Sequence, residues 1–156
     1  MERKEIFEAV REFFNFLQSP NLETEPHTNL RSLVQVLDKL AFAYHHVNFE
    51  FDENGGDPPR HDHQKMYSQF REMASQKFPL LGFYREVDPL ELTEAKIMMG
   101  DALDDLADIA CDLQDVIWCL ENTSEEDALW HFQFGYESHW GRHMRYLQTY
   151  LYELCN

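Results

Sequence analysis

Residues 100–120 read GDALDDLADIACDLQDVIWCL, and the interpretation of the whole chain depends on this stretch. Its apolar residues recur at the three- and four-residue spacing that predicts an α-helix packed against a core. Six aspartates nevertheless fall between positions 101 and 115, although aspartate is a poor helix former. The sequence therefore raises the question of what so many like charges do on one helix.

On a helix, these aspartates form a narrow stripe along one side. At 100° per residue the six positions fall within about 100° of arc, opposite the apolar face. No Lys or Arg lies between Lys96 and Arg142 to offset the acids, and each like-charge pair at helical spacing costs roughly 0.2–0.5 kcal/mol. We define the aspartate stripe as Asp101, Asp104, Asp105, Asp108, Asp112 and Asp115.

Three interpretations of the aspartate stripe are open. It is a solvated helix face, a docking strip for a basic protein partner, or a cation site. The docking strip would comprise the stripe together with Arg142 and His143. The cation site would hold Mg²⁺ or Mn²⁺, because carboxylate oxygens suit these ions. Its predicted ligands are Asp105, Asp108, Asp112, Glu94 and His139.

The composition indicates one acidic globular domain spanning residues 1–156. Hydrophobic residues make up 44% of the chain and the net charge is −16. Such a charge argues against direct binding to nucleic acid or to an anionic membrane. Three cysteines without a CxxC pair do not form a disulfide pattern, and the N-terminus has no apolar signal core. We therefore predict a cytoplasmic protein.

Helical spacing of apolar residues extends over most of the chain, and it predicts an all-α bundle of about five helices. The first three helices are expected over residues 3–18, 28–47 and 63–78, with a Gly/Pro loop before the third. A long fourth helix is expected over residues 90–121, and Ser124 with Asp127 resembles a capping box that opens the fifth. The last two helices are predicted to be long and antiparallel, and no strand is expected.

Histidines on the last helix are candidates for contact with the aspartate stripe. His139 and His143 are one turn apart, a spacing that lets two imidazoles share a metal ion. Counting back from the turn between the two helices, Asp105 or Asp108 is expected near the level of His139 or Arg142. The alternative is a core histidine that is hydrogen-bonded to a neighbour. Four other histidines carry weaker signals: His45, His46, His61 and His63.

Three segments in this order resemble a bacterial family with a domain of unknown function, DUF5063. They are FPLLGFY at 78–84, GDALDDLADIACDL at 100–113 and FGYESHWGRHMRYL at 134–147. The resemblance covers nearly the whole chain. It implies an all-helical bacterial protein and brings no activity or catalytic residues with it.

The chain also has a looser resemblance to a class of enzymes. All-helical nucleotide pyrophosphohydrolases of the MazG type hold magnesium with an ExxE pair followed by an ExxD pair on helices. Here ELTE (Glu91, Glu94) precedes DLAD (Asp105, Asp108), although the second pair begins with aspartate and both pairs fall on one predicted helix. This resemblance implies a Mg²⁺- or Mn²⁺-dependent nucleotide or phosphoester hydrolase.

The function that we expect from the sequence is a non-enzymatic interaction or regulatory module that uses the aspartate stripe. The alternative is the metal-dependent hydrolase. A stripe that faces a cleft would favour the enzyme, because catalysis needs a concave site. Tyr146 and Tyr150 are expected to be exposed, and exposed aromatic residues permit a homodimer without requiring one.

Overall fold

The computed structural model describes residues 1–20, 25–60, 62–94 and 96–156. Helices α1 (Arg3–Gln18), α2 (Pro26–Tyr44) and α3 (His63–Lys77) precede strands β1 (Phe83–Val87) and β2 (Ile97–Asp101). Helix α4 (Ala102–Asn122) follows β2 directly. Helix α5 (Glu125–Gly135), a π-helical turn (Tyr136–Trp140) and α6 (Gly141–Cys155) then run on without a break as a long last helix. The fold is mainly α-helical, which confirms the helical part of the prediction.

Local signals set the ends of several helices. Glu2 and Glu5 form a capping box at the start of α1. The hydroxyl of Ser124 accepts a hydrogen bond of 3.1 Å from the backbone N–H of Asp127, which caps α5. Asp101 caps α4 in the same way by accepting from the N–H of Leu103. One aspartate of the stripe therefore starts the central helix.

A two-stranded antiparallel sheet corrects the all-α prediction. Residues 83–87 pair with residues 97–101, from Phe83 opposite Asp101 to Val87 opposite Ile97. The expected helix over residues 90–121 therefore begins at Ala102. Gly100 explains part of this outcome, since a Cβ at this position would lie 2.6 Å from the ring of Tyr84. The absence of a side chain lets β2 pass closely over β1, a tertiary contact that helical periodicity does not encode.

Helix α4 lies at the centre of the molecule. It contacts α1, α3, α5, α6, the π turn and β2. Its buried side chains join one hydrophobic cluster with residues from α1, α2, α3 and α6, including Phe13, Leu37, Phe70, Leu106 and Leu147. Because helices surround α4 on several sides, the aspartate stripe cannot simply face solvent. None of the described helices has the length and apolar character that a membrane-spanning helix needs.

Candidate metal centre and adjoining cleft

The aspartate stripe is largely covered by neighbouring elements. Asp105 is 2% exposed, and the other five aspartates are half-buried. The hydroxyl of Tyr67 on α3 donates to Asp104, and the hydroxyl of Tyr84 on β1 donates to Asp105. At the start of the stripe, Arg71 donates a 2.7 Å hydrogen bond to Asp101. Side chains from α3 and β1 thus stabilise carboxylates that have no Lys or Arg neighbour on α4 itself.

Two histidines on the last helix bind the inner part of the stripe. Nδ1 of His143 lies 2.7 Å from Oδ1 of Asp105, and Nδ1 of His139 lies 2.8 Å from Oδ2 of Asp112. An ionised carboxylate only accepts hydrogen bonds, so each imidazole donates its Nδ1–H to an aspartate. These bonds orient both rings and leave both Nε2 atoms available for another partner. Nε2 of His143 lies 3.5 Å from Oδ2 of Asp108.

Asp108, His139 and His143 form a compact group of three metal-ligand side chains, which we call the Asp–His–His cluster. One ligand atom from each residue lies within 4.8 Å of the other two. Tetrahedral ligands at zinc distances of about 2.0–2.1 Å are separated by roughly 3.3 Å, so small side-chain rotations are sufficient to converge on one ion. Hydrogen bonding of the outer imidazole nitrogen to a carboxylate is the usual support for a metal-binding histidine. Asp105 and Asp112 provide this support here.

The electrostatics of the Asp–His–His cluster favour an added positive charge. Burial raises the pKa of the Asp108 carboxyl, and the neighbouring carboxylates of Asp104 and Asp112 raise it further, while the two histidines oppose the shift. The hydrogen bond that His143 donates to Asp105 raises the pKa of His143, and the bond that His139 donates to Asp112 raises the pKa of His139, against the effect of burial. Imidazoles in the protonated form would offset part of this acidic charge. A bound cation can take over this role once the protons leave.

A cleft of about 330 Å³ adjoins the cluster. His139 and Asp112 line it, together with Asp115 farther along α4 and His131 on α5. One wall is aromatic, because the rings of Trp130 and Phe134 stack with centroids 4.9 Å apart; both residues line the cleft. Burial raises the pKa of Asp115, although the charges of Arg60, His131 and His63 oppose this. Part of the stripe therefore faces a concave site and not an open surface.

The π turn brings His131 and His139 to the same side of the long last helix. At 100° per residue, a regular helix would separate these two residues by about 80°. The wider π turn rotates less per residue, and part of it precedes His139, which brings the two residues closer to one side of the helix. Both residues line the cleft. The backbone N–H of Gly141 bonds to the carbonyl of Tyr136, and a Cβ on Gly141 would collide with that oxygen.

The structure separates some of the predicted site residues from the cluster. Glu94 is exposed in the connection between the strands and lines a different pocket, of about 270 Å³, with Glu91 and Arg142. Arg142 lies over the ring of Tyr146. The helix that would have carried Glu91 and Glu94 beside Asp105 is absent, so the described residues do not form the two-pair arrangement of MazG-type enzymes.

The pairs of residues that face each other across the last two helices differ from the expected pairs, because one helix is shifted along the other. His139 pairs with Asp112 instead of Asp105 or Asp108, and His143 takes the position near Asp105 and Asp108. Sequence reasoning also missed Tyr67 and Tyr84 as partners of the stripe. The sequence does draw attention to Tyr84, because this residue ends FPLLGFY, one of the three segments that resemble the DUF5063 family. Of the weaker histidine candidates, His63 lines the cleft, and His61 lies outside the described residues.

A second group of ligand-type side chains lies at the turn between α4 and α5. Cys119, Asp127 and His131 offer atoms within 4.8 Å of one another. The carboxylate of Asp127, however, already accepts hydrogen bonds from the Gly56 N–H at 3.2 Å and the Thr123 hydroxyl at 2.7 Å. We therefore interpret this group as an anchor that holds the Gly/Pro loop against the helical turn.

Comparisons with known proteins agree with the fold. The model of the family described as Domain of unknown function (DUF5063) matches residues 2–154. The fold is similar to the crystal structure of protein BF1032 from Bacteroides fragilis, with a TM-score of 0.73. Sequence identity to that protein is 18%, and the match covers 97% of this chain and 93% of that chain. Comparison with curated proteins gives no match. At this level of identity the structural similarity establishes the fold alone.

Proposed function

The chain belongs to the DUF5063 family, and from its site geometry we propose that it binds a divalent transition-metal ion through Asp108, His139 and His143. The proposal rests on one observation: each of the two imidazole rings is oriented by a hydrogen bond to an aspartate. Each ring uses Nδ1 to bond an aspartate, so Nε2 is left as the metal-binding nitrogen.

The ligand set favours a transition metal over Mg²⁺. Magnesium prefers oxygen ligands and keeps much of its water shell, whereas imidazole suits Zn²⁺, Fe²⁺, Ni²⁺ and Cu²⁺. Two imidazoles and one carboxylate match the ligand types of known zinc and non-haem iron sites. We therefore expect Zn²⁺ to bind more tightly than Mn²⁺, and Mn²⁺ more tightly than Mg²⁺.

Three protein ligands leave coordination positions open, which is typical of a catalytic metal site. His139 lines the cleft, so a ligand in the cleft can approach the ion from that side. The reaction class we propose is metal-assisted hydrolysis of an ester or phosphoester. The ion would lower the pKa of a bound water molecule, whose oxygen attacks the ester while the alcohol leaves with a proton.

The geometry gives less support to a docking strip for a basic protein. Such a strip needs free carboxylates, whereas Asp101, Asp104 and Asp105 bond to side chains of the same molecule. Asp112 is likewise bonded to His139. A partner would first have to displace these contacts. We therefore rank the interaction module second.

The proposal is tested by thermal melts of the metal-stripped protein, titrated with Zn²⁺, Mn²⁺ and Mg²⁺ at fixed ionic strength. An ion at 100 times its dissociation constant stabilises the native state by about 2.7 kcal/mol, or roughly 5–10 °C for a chain of this size. Asp108→Asn should abolish the rise. Asp115→Asn is the matched control, because Asp115 is another partly buried aspartate of α4 with a raised pKa and lies outside the cluster.

Either of two results would overturn the metal proposal. One is a flat response to all three ions. The other is an equal response of Asp108→Asn, Asp115→Asn and the unsubstituted protein. If the metal binds, hydrolysis of a panel of phosphoesters and carboxylic esters by the zinc-loaded protein tests the reaction class separately. Turnover that survives in Asp108→Asn would then exclude the cluster as its source.

A further inference from the structure

Exposed apolar side chains are concentrated in one segment of the molecule. Within the described ranges, eight of the large hydrophobic residues that are exposed lie between positions 80 and 99. Phe83 is 70% exposed, Met99 71% and Leu92 89%. The full set is Leu80, Phe83, Val87, Leu90, Leu92, Ile97, Met98 and Met99, which we call the hairpin patch. Such a concentration of exposed apolar side chains is typical of an interaction site.

The β-hairpin has one covered face and one uncovered face. Tyr84 points towards the helices, where its ring stacks on Tyr150 with centroids 4.8 Å apart. Tyr146 donates a hydrogen bond of 3.2 Å to the backbone carbonyl of Val87. Tyr146 and Tyr150 are therefore half-buried against the hairpin and do not form the exposed aromatic surface expected from the sequence.

The uncovered face carries the alternate residues of both strands. Because side chains alternate along a strand, Phe83, Arg85 and Val87 of β1 share a face with Ile97 and Met99 of β2. The register places Val87 opposite Ile97 and Arg85 opposite Met99. All five residues are exposed. An isolated two-stranded hairpin is marginally stable in water, so a covering surface on this face would stabilise it.

The size of the hairpin patch fits a protein–protein interface. Met98 pairs with Glu86 on the other face of the hairpin; at roughly 180 Å² for each fully exposed large side chain, the other seven residues expose about 840 Å², and a standard interface buries about 800 Å² on each partner. The charges around the patch fit a second copy of the same chain. Arg85 lies on the apolar face, and the connection between the strands carries the acids Asp88, Glu91 and Glu94 together with one cation, Lys96. A two-fold axis can place the cation of each copy near the acids of the other.

We propose that two copies of this chain form a dimer by packing their hairpin patches together around a two-fold axis. An anionic membrane fits this surface less well, since the three acids beside the patch and the net charge of −16 oppose binding. The dimer is independent of the metal site, because no residue of the hairpin patch belongs to the Asp–His–His cluster.

The test is the molar mass in solution, measured by sedimentation equilibrium from about 1 to 100 μM. The expected mass at the upper end is twice the 18.6 kDa of the single chain. The double variant Phe83→Ser with Met99→Ser should lower the dimer affinity at least tenfold. The matched control is Phe42→Ser with Tyr152→Ser, which removes two exposed aromatic residues outside the patch and should leave the dimer intact.

Folding of each variant is checked by far-ultraviolet circular dichroism. If the double variant is unfolded, the single substitution Met99→Lys is used in its place. It puts two like charges near the two-fold axis, which should separate the copies without unfolding β2. A monomeric wild-type protein at 100 μM would overturn the proposal and leave the patch for a different partner. Dimers that persist in both Met99→Lys and the double variant would also overturn it.

Discussion

At the scale of single residues, the aspartates of the stripe differ more in environment than in chemistry. Asp105 is buried and bonded to Tyr84 and His143, so its charge is satisfied inside the protein. Asp108 and Asp115 are also partly buried, and burial raises the pKa of both carboxyls. A raised pKa means that ionisation is unfavourable in the folded state. These two residues therefore lower stability at neutral pH in the metal-free protein.

The substitution Asp115→Asn should stabilise the metal-free protein at pH 7. Since the folded-state pKa is above the unfolded value, the group contributes most stability below the unfolded pKa. It loses that contribution as the pH rises through the folded pKa. Asparagine removes the cost of the buried charge, so the melting temperature at pH 7 should rise. Melting temperatures from pH 7 down into the carboxyl range check this, because the gain should shrink as the pH falls. A gain that grows towards low pH would contradict the argument.

The cysteine thiols should fall into two classes of reactivity. Burial raises the pKa of Cys111 and of Cys119 to about 12, so both stay protonated and unreactive at pH 8. Cys155 is partly exposed near the C-terminus. A coloured disulfide reagent should therefore label one thiol per chain quickly, and the other two after unfolding in guanidinium. Fast labelling of all three in the native protein would show that the core around α4 opens readily.

At the scale of elements, the π turn determines which side chains of the long last helix reach α4. Gly141 makes this turn sterically feasible, since any Cβ would meet the carbonyl oxygen and ring of Tyr136. His139 lies inside the turn, and His143 lies just after it. The distance between the two histidines that we propose as metal ligands is therefore coupled to the geometry of one irregular turn.

The substitution Gly141→Ala should displace the π turn. Overpacking of this kind typically costs about 1–3 kcal/mol, and the shift should also weaken Zn²⁺ binding by moving His139 relative to His143. The melting temperature with and without Zn²⁺ measures both effects. Gly82→Ala is the matched control, because a Cβ at Gly82 would meet no atom within 4 Å. If Gly141→Ala loses stability but binds Zn²⁺ unchanged, the turn is structural and does not position the ligands.

At the scale of the whole molecule, repulsion between acidic groups opposes folding. The chain has 29 acids against 13 bases, and few cations are available to offset the surface charge. Ion pairs on the surface, such as Lys39 with Glu12, are largely exposed and contribute little. Net repulsion should therefore dominate the response of the fold to salt.

Raising the NaCl concentration from about 0.01 to 0.15 M should increase the melting temperature by a few degrees. The Debye length falls from about 30 to 8 Å over this range, which screens repulsion between distant acids. Calorimetry of the metal-stripped protein checks the prediction, and equal osmolarity of sucrose serves as the uncharged control. A lower melting temperature in salt would mean that the internal ion pairs matter more than the net charge.

The sequence by itself determined the helical class, the ends of α1 and the cap at Ser124, because these depend on local spacing and capping chemistry. It also determined that Asp104–Asp115 form one stripe, since a single regular helix relates their positions, whereas Asp101 ends β2 and caps that helix. Tertiary structure alone decided that residues 97–101 form a strand, because the partner strand and the space beside Gly100 are not local properties.

The contacts of the stripe were likewise decided by tertiary structure. Counting along ideal helices did not pair His139 with Asp112, because the level at which two helices meet depends on how they pack and on the irregular π turn. Nor could it predict that Tyr67 and Tyr84 cover the stripe from α3 and β1. Helical periodicity identifies which residues share a face. The packing of other elements determines whether that face meets solvent, a cleft or hydrogen-bonding partners.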